Sequence, residues 1–248
     1  MSFWENFKAA FRLCFIDDNR WEFILKGLGN TIIITLSALV IGIAIGIVVA
    51  IVRSTHDNII NEMAPGAGRF FLKAGNFLCN LYLTVIRGTP VVVQLLIMYF
   101  VILLFVRDGI VVAAITFGIN SGAYVAEIVR GGIMSIDKGQ FEAGRSLGFS
   151  YVSTMRYIII PQTFKAVLPS LANEFIALLK ETSVAGYVGI VDLTKAGDII
   201  RGRTFQAFMP LIAVALVYLV LVIFFSKLVS ALEKKLRAGD KKSGGSVK

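Results

Sequence analysis

The chain has 248 residues, 56% of them hydrophobic and only 17% charged, and a mean hydropathy of +0.78, which excludes an ordinary soluble domain. A net charge of +9 would suggest nucleic acid in a soluble protein. In a chain this apolar, the retention of lysine and arginine in cytoplasmic loops accounts for it, and no nucleic-acid partner is implied.

Several runs reach the ~20 apolar residues that a helix needs to cross a bilayer core of ~30 Å. The chain therefore reads as an all-α integral membrane protein. Two cysteines, Cys14 and Cys79, do not make a disulfide framework.

The first 26 residues lack the continuous apolar core of a cleavable signal, because Trp4, Glu5, Asp17 and Asp18 interrupt it. Phe3, Phe7, Phe11 and Cys14 repeat at helical spacing, predicting an amphipathic helix on a membrane surface; a poorly ordered tail is the alternative. Helix one is expected over 27–52 and is stopped by Arg53. Gly42 and Gly46 form a G-x-x-x-G spacing, which either admits a close neighbouring helix or is merely tolerated in lipid. A polar loop follows over 53–69, with His56, Asp57, Asn58 and the turn Pro65-Gly66.

The next apolar stretch runs from Phe70 to Ile86, is interrupted by Arg87-Gly88-Thr89-Pro90, and resumes over 91–106. Two crossings there would make six spans in all; one crossing with a partly interfacial lead-in makes five. Lys73, Asn76 and Asn80 lie in the first half, and six spans would strand Arg87 at the outer face. Five spans are expected. Helix three covers 110–133, helix four 159–179 and helix five 204–228, with a polar segment over 135–156 and a mixed loop over 180–203.

These elements divide into an amphipathic segment (1–26), a transmembrane domain (27–232) and a basic tail (233–248) with Lys234, Lys235, Arg237, Lys241, Lys242 and Lys248. Arg53, Arg69, Lys73, Arg87, Arg130, Lys138, Arg145, Arg156 and Lys165 fall on the same side as that tail. The bias predicts a cytoplasmic C-terminus and an external N-terminus. Cys14 is then expected to label from outside where its helix leaves the thiol wet, and Cys79 is not.

The chemistry-bearing segment is Glu142-Ala143-Gly144-Arg145-Ser146-Leu147-Gly148, followed by Ile158-Ile159-Ile160-Pro161. Residues 140–147 are largely good helix formers, and Gly148 would end that helix at positive φ. A second helical run starts at Tyr151. Glu142 is expected near the first turn, where a carboxylate complements the helix dipole.

Within the spans, Gln94, Asn120, Asn173 and Glu174 are polar. Such residues line an interior path or hydrogen-bond to a partner helix. Glu127 and Arg130, three apart, are expected to pair. There is no G-x-x-x-x-G-K-[ST] loop, so nucleotide must be handled by another chain. His56 lacks metal-ligand neighbours, and neither a metal nor a cofactor is expected here.

The 142–161 segment is similar to the EAA…G…I-L-P loop of the membrane subunits of ABC importers. Arg87-Gly88-Thr89-Pro90 with Gln94, Gly122-Ala123-Tyr124 with Glu127, Lys138-Gly139-Gln140, Ile160-Pro161-Gln162 and Lys180-Glu181-Thr182-Ser183 extend the likeness. From 27 to 232 the chain resembles the permeases for polar amino acids, the histidine/glutamate/glutamine/arginine group. The resemblance implies a type I ABC importer permease fold of five transmembrane helices in a bacterial inner membrane. It makes the polar loop a cytoplasmic coupling helix, with Glu142, Ala143, Gly144 and Gly148 in the coupling to the ATPase. Gly144 replaces the motif's second alanine, at a cost to the helix of about 1 kcal/mol.

The implied partners are an ABC ATPase subunit that binds ATP and Mg, a second permease copy or related permease, and an extracytoplasmic amino-acid-binding protein. The chain itself would be a non-catalytic subunit working by alternating access. Gln94, Asn120, Asn173 and Glu174 are the substrate-path candidates. Glu174 suits a cationic amino acid, whereas Asn120 and Gln94 suit a neutral polar one. The rival, a secondary transporter or channel, would need ion-linked acidic residues or broken-helix repeats.

Overall fold

The computed structural model describes the backbone of 3–244 and the side chains of 4–236; Arg237, Lys241, Lys242 and Lys248 of the basic tail lie outside the described side chains. Every regular element among the described residues is helical. The elements are α1 (Phe3–Phe11), α2 (Trp21–Ile59), α3 (Ala67–Gly88), α4 (Val91–Ile97), α5 (Gly109–Met134), α6 (Lys138–Ser146), α7 (Tyr151–Thr154), α8 (Ile160–Glu181), α9 (Leu193–Thr204) and α10 (Phe208–Gly244).

Three of these are long and apolar enough to cross a membrane: α2, α5 and the Phe208–Leu236 part of α10. A fourth candidate is the pair Ala67–Gly88 and Val91–Ile102, bent by 107°. The bend falls at Thr89-Pro90, where proline removes a backbone donor and holds its predecessor extended. The expected fourth helix is present as α8, but Lys165, Asn173, Glu174 and Lys180 keep it less apolar than the others.

The chain forms two compact units. One comprises the described part of Met1–Val40 with Pro90–Gly118 and Phe175–Ser226. Its core gathers Ile34, Ala38, Leu95, Phe117 and Leu178. The expected loop over 180–203 is mostly helical there, and α9 starts where the buried Asp192 accepts hydrogen bonds from the backbone N–H groups of Thr194 and Lys195. Capping by an aspartate satisfies two otherwise orphaned donors. Asn30 Nδ2 donates to Val191 O at 2.8 Å, and Leu193 N donates to Thr31 Oγ1 at 3.0 Å, so the start of α9 is fastened to α2. Burial pushes the Asp192 carboxyl above the usual carboxylate range, outweighing the cap bonds that pull it down.

Cys14 also belongs to this unit and is fully buried, its thiol 3.9 Å from Thr204 Oγ1. The condition for labelling it from outside, a wet thiol, is not met. The chain leaves α1 through a wide π-helical turn, Arg12–Ile16, which breaks the 3.6-residue register that would keep Cys14 in line with the exposed Phe7 and Phe11.

The other unit comprises Ile41–Thr89, Ile119–Glu174 and the described part of Lys227–Lys248. Here α2 and α5 pack closely. A Cβ on Gly42 would fall 3.0 Å from Ser121 Cβ, and one on Gly46 would fall 2.5 Å from Val125 Cγ1. The G-x-x-x-G spacing is therefore a packing feature rather than a tolerated one.

Helix one does not stop at Arg53 but runs to Ile59. Arginine is a good helix former, and its charge is matched by Glu127 on α5. The Glu127–Arg130 pair expected within α5 does not form. Glu127 pairs with Arg53, and Arg130 pairs with Asp57 at 2.9 Å, so both side chains bond across helices.

Candidate functional site: the α6–α7 loop and the polar positions of α5 and α8

Asp137 opens α6, its carboxylate accepting from Gly139 N at 2.7 Å. Asp137 is the capping acid. Glu142 sits in the second turn rather than the first, because α6 begins at Lys138. The helix ends at Gly148 with φ +78. Phe149 N donates to Gly144 O at 3.0 Å and Gly148 N donates to Arg145 O at 2.9 Å. This is the paired Schellman closure that a glycine at positive φ permits. Ser150 then caps α7 through Ser153 N. A wide turn, Met155–Ile159, leads into α8 just before Pro161, whose ring cannot fit a regular i→i−4 ladder.

Gly144 is buried against Thr154; a Cβ there would lie 2.6 Å from Thr154 Oγ1. The departure from the motif's second alanine is thus the residue that lets α6 and α7 meet. Arg145 on the outer part of α6 pairs with Glu62 at 3.3 Å. Three arginine–carboxylate pairs, Arg53–Glu127, Arg130–Asp57 and Arg145–Glu62, therefore join the end of α2 and the turn after it to α5 and α6. The sequence reading missed these partners. The signal available was the four-residue spacing of Arg53 and Asp57 on the continuing helical run, with Glu62 in the turn just after it.

Among the mid-span candidates, Asn120 is 3% exposed on α5. Glu174 on α8 is half-buried and accepts from Ser121 Oγ on α5 at 2.8 Å. The structure thus brings Glu174 to the residue beside Asn120. Asn173 is exposed on the same helix, and Gln94 lies on α4 in the other unit. Ser121 was not singled out by sequence because a serine among apolar residues carries no distinctive pattern.

Two further motif residues meet on this unit. Arg87 lies over the Tyr124 ring at 5.8 Å. The Tyr82 hydroxyl donates to Ile119 O at 2.6 Å, and a Cβ on Gly122 would fall 2.8 Å from that hydroxyl. Gly122 is the position at which α3 can touch α5.

The capped, glycine-closed polar helices α6 and α7 thus stand in the chain between the apolar helices α5 and α8. The chain belongs to the family of binding-protein-dependent transport system inner membrane components, whose model matches residues 42–238. It is 36% identical over 221 residues to an arginine transport system permease protein of Bacillus subtilis, covering 88% of this chain and 94% of that one. It is 34% identical over 218 residues to a glutamine transport system permease protein of Escherichia coli K12, covering 86% and 93%. Among solved structures it superposes on an amino acid ABC transporter crystallised with histidines, with a TM-score of 0.76 and 35% identity over 95% of this chain and 99% of that one. An inward-facing methionine ABC transporter shares the fold, with a TM-score of 0.74 at 16% identity, covering 89% and 99%.

Proposed function

We propose that this chain is the membrane permease subunit of an ATP-driven importer of polar amino acids, and that α6 is its coupling helix. The observation that carries the reading is the Asp137-capped, Gly148-closed α6 joined to α7, in a chain similar along nearly its whole length to glutamine and arginine permeases. Five spans follow from α2, the α3–α4 pair taken as one crossing with its lead-in, α5, α8 and α10. The N-terminus then lies outside and the C-terminus with the α6 loop inside.

A partner ATPase supplies the nucleotide and magnesium sites, a second permease copy or a related permease completes the path, and an extracytoplasmic binding protein delivers the solute. Glu142, Ala143, Gly144 and Gly148 shape the element on which the ATPase docks, and transport proceeds by alternating access. Asn120 and Glu174 contact the solute, with Gln94 and Asn173 as further path positions. Loss of an ionised carboxylate at 174 would disfavour a cationic solute.

The test is the reconstituted complex, with ATPase activity screened against each amino acid on its binding protein. A polar amino acid should stimulate turnover, and Glu142→Lys and Gly148→Asp should insert in the membrane yet fail to co-purify with the ATPase or to transport. Normal uptake and co-purification by both variants would sink the coupling assignment. Reporter fusions after Gly66 and after Asp240 should both read cytoplasmic; an external signal from either would restore the six-span topology.

A further inference from the structure

Three stretches of chain meet at the end of α9. Cys14, just after α1, is buried 3.9 Å from Thr204. Arg203 lies over the ring of Phe23, in the first turn of α2, at 4.7 Å. Phe208 opens α10 shortly after Thr204. Both α2 and α10 are long and apolar enough to cross a membrane, so their first turns mark the level at which the chain enters the bilayer. The contacts at Cys14 and Phe23 hold the end of α1 at that level.

There α1 turns an apolar face outward. Trp4, Phe7 and Phe11 follow at spacings of three and four, which places them on one side of the helix. All three are exposed, Trp4 by 67%. The Trp4 and Phe7 rings meet edge to face at 6.1 Å. Glu5, Asn6 and Ala9 take the opposite side.

The exposed aromatics continue beyond α1. Phe205 is 93% exposed and holds the left-handed backbone, φ +56, that non-glycine residues adopt at a cost. Trp21 and Phe208, at the heads of α2 and α10, are exposed too. Below them the same helices present exposed Leu25, Ile33, Leu211 and Leu216, the surface that lipid tails cover. Aromatic rings at the end of a span sit at headgroup level. The apolar face of α1 is thus continuous with a surface already committed to the bilayer, which selects lipid as its occupant over a second copy of the chain.

We infer that α1 is an interfacial anchor lying along the outer leaflet. Trp4, Phe7 and Phe11 reach about 5–10 Å into the boundary between headgroups and acyl chains, and Phe205 and Phe208 extend the same aromatic belt. The charges of Glu5 and Lys8 offset each other, so the attachment is apolar and needs no anionic lipid. Through Cys14 and Thr204 the anchor fixes the depth of the end of α9. The inference takes only its choice of leaflet from the proposed orientation.

The test uses the full chain in lipid vesicles. Trp4 and Trp21 are its two tryptophans, so Trp21→Phe leaves Trp4 as the sole reporter. Lipids brominated near the headgroup should quench Trp4 about twice as strongly as lipids brominated deep in the acyl chain. Acrylamide in the water should quench it weakly, and neither high salt nor purely zwitterionic lipid should change the pattern. Adding Phe7→Asp and Phe11→Asp should abolish the lipid quenching and open Trp4 to acrylamide. Phe205→Trp, in a chain carrying Trp4→Phe and Trp21→Phe, should show the same shallow profile.

Trp4 quenched by acrylamide and by neither brominated lipid would make α1 a tail in water. Trp4 shielded from all three quenchers would place protein over it. Either result overturns the anchor, and free access of acrylamide to the reporter at 205 overturns the continuous belt. If Trp4 is quenched at shallow depth but reporter fusions place the N-terminus in the cytoplasm, the orientation fails and the anchor stands. Trp4 in water beside an external N-terminus removes the anchor alone.

Discussion

Ser121 Oγ on α5 donates to the Glu174 carboxylate on α8 at 2.8 Å, with Ser121 fully buried. The contact separates two roles that a mid-span carboxylate can have. Glu174→Gln keeps an oxygen to accept this bond but removes the charge, whereas Ser121→Ala keeps the charge and removes the bond. If Glu174 contacts solute, Glu174→Gln expresses normally and loses preference for arginine over glutamine in uptake assays, while Ser121→Ala lowers stability by about 1.5–3 kcal/mol. Unchanged affinity and selectivity in both Glu174→Gln and Asn120→Ala would make these residues structural.

Restoring the motif's alanine should damage this protein. A Cβ at 144 would meet Thr154 Oγ1 at 2.6 Å and Thr154 Cγ2 at 2.7 Å, and overpacking of this kind costs about 1–3 kcal/mol. Gly144→Ala is expected to reduce co-purification of the ATPase and to make the α6–α7 loop more protease-sensitive. Adding Thr154→Ala removes both clashing atoms and should restore assembly. A single Gly144→Ala variant with wild-type assembly would show that the loop yields freely at this point.

The ion pairs at the end of α2 should divide by exposure. The Arg53 and Glu127 side chains are 17% and 32% exposed, against 64% and 67% for Arg145 and Glu62. Arg53→Gln leaves a partly buried carboxylate unmatched and should lower the melting temperature in detergent clearly. Glu62→Gln should change stability by less than about 1 kcal/mol. Equal effects of the two substitutions would show that burial does not grade these pairs.

Asp192 gives the expected pH dependence. Its folded carboxyl is raised above the ordinary range, chiefly by burial. For an acid whose pKa is raised by folding, the associated stability is fully present below the unfolded pKa, roughly 3.9. It is lost as pH rises through the folded pKa, because the unfolded chain gives up that proton first. Asp192→Asn keeps a capping oxygen and does not titrate. The melting temperature of Asp192→Asn relative to wild type should therefore rise with pH across that window and then level off. A difference that stays flat from pH 4 to pH 7 would contradict the raised pKa.

Much of the helix pattern was legible because apolar runs and glycine or proline punctuation are local signals. The membrane character, helix three over 110–133 realised as Gly109–Met134, the Gly148 closure and the interruption before Pro90 all come from residues whose effect acts within a turn or two. The family motifs were legible for the same reason: Glu142 to Gly148 and Gly122 to Tyr124 are contiguous in the chain.

Tertiary structure decided whatever depended on partners far apart in sequence. Arg53 reads as a helix stop until Glu127, 74 residues away, is seen to match it. Glu127 and Arg130 read as a pair until each is found bonded to α2. Cys14 reads as one of the Phe3, Phe7 and Phe11 face until a π-helical turn and Thr204 enclose it. Gly144 reads as a weakened motif position until Thr154 is found against it. Local propensity is set by a residue's own backbone and near neighbours. Charge pairing and close packing are set by whichever surfaces the folded chain brings within a few ångströms, and a linear sequence does not specify those distances.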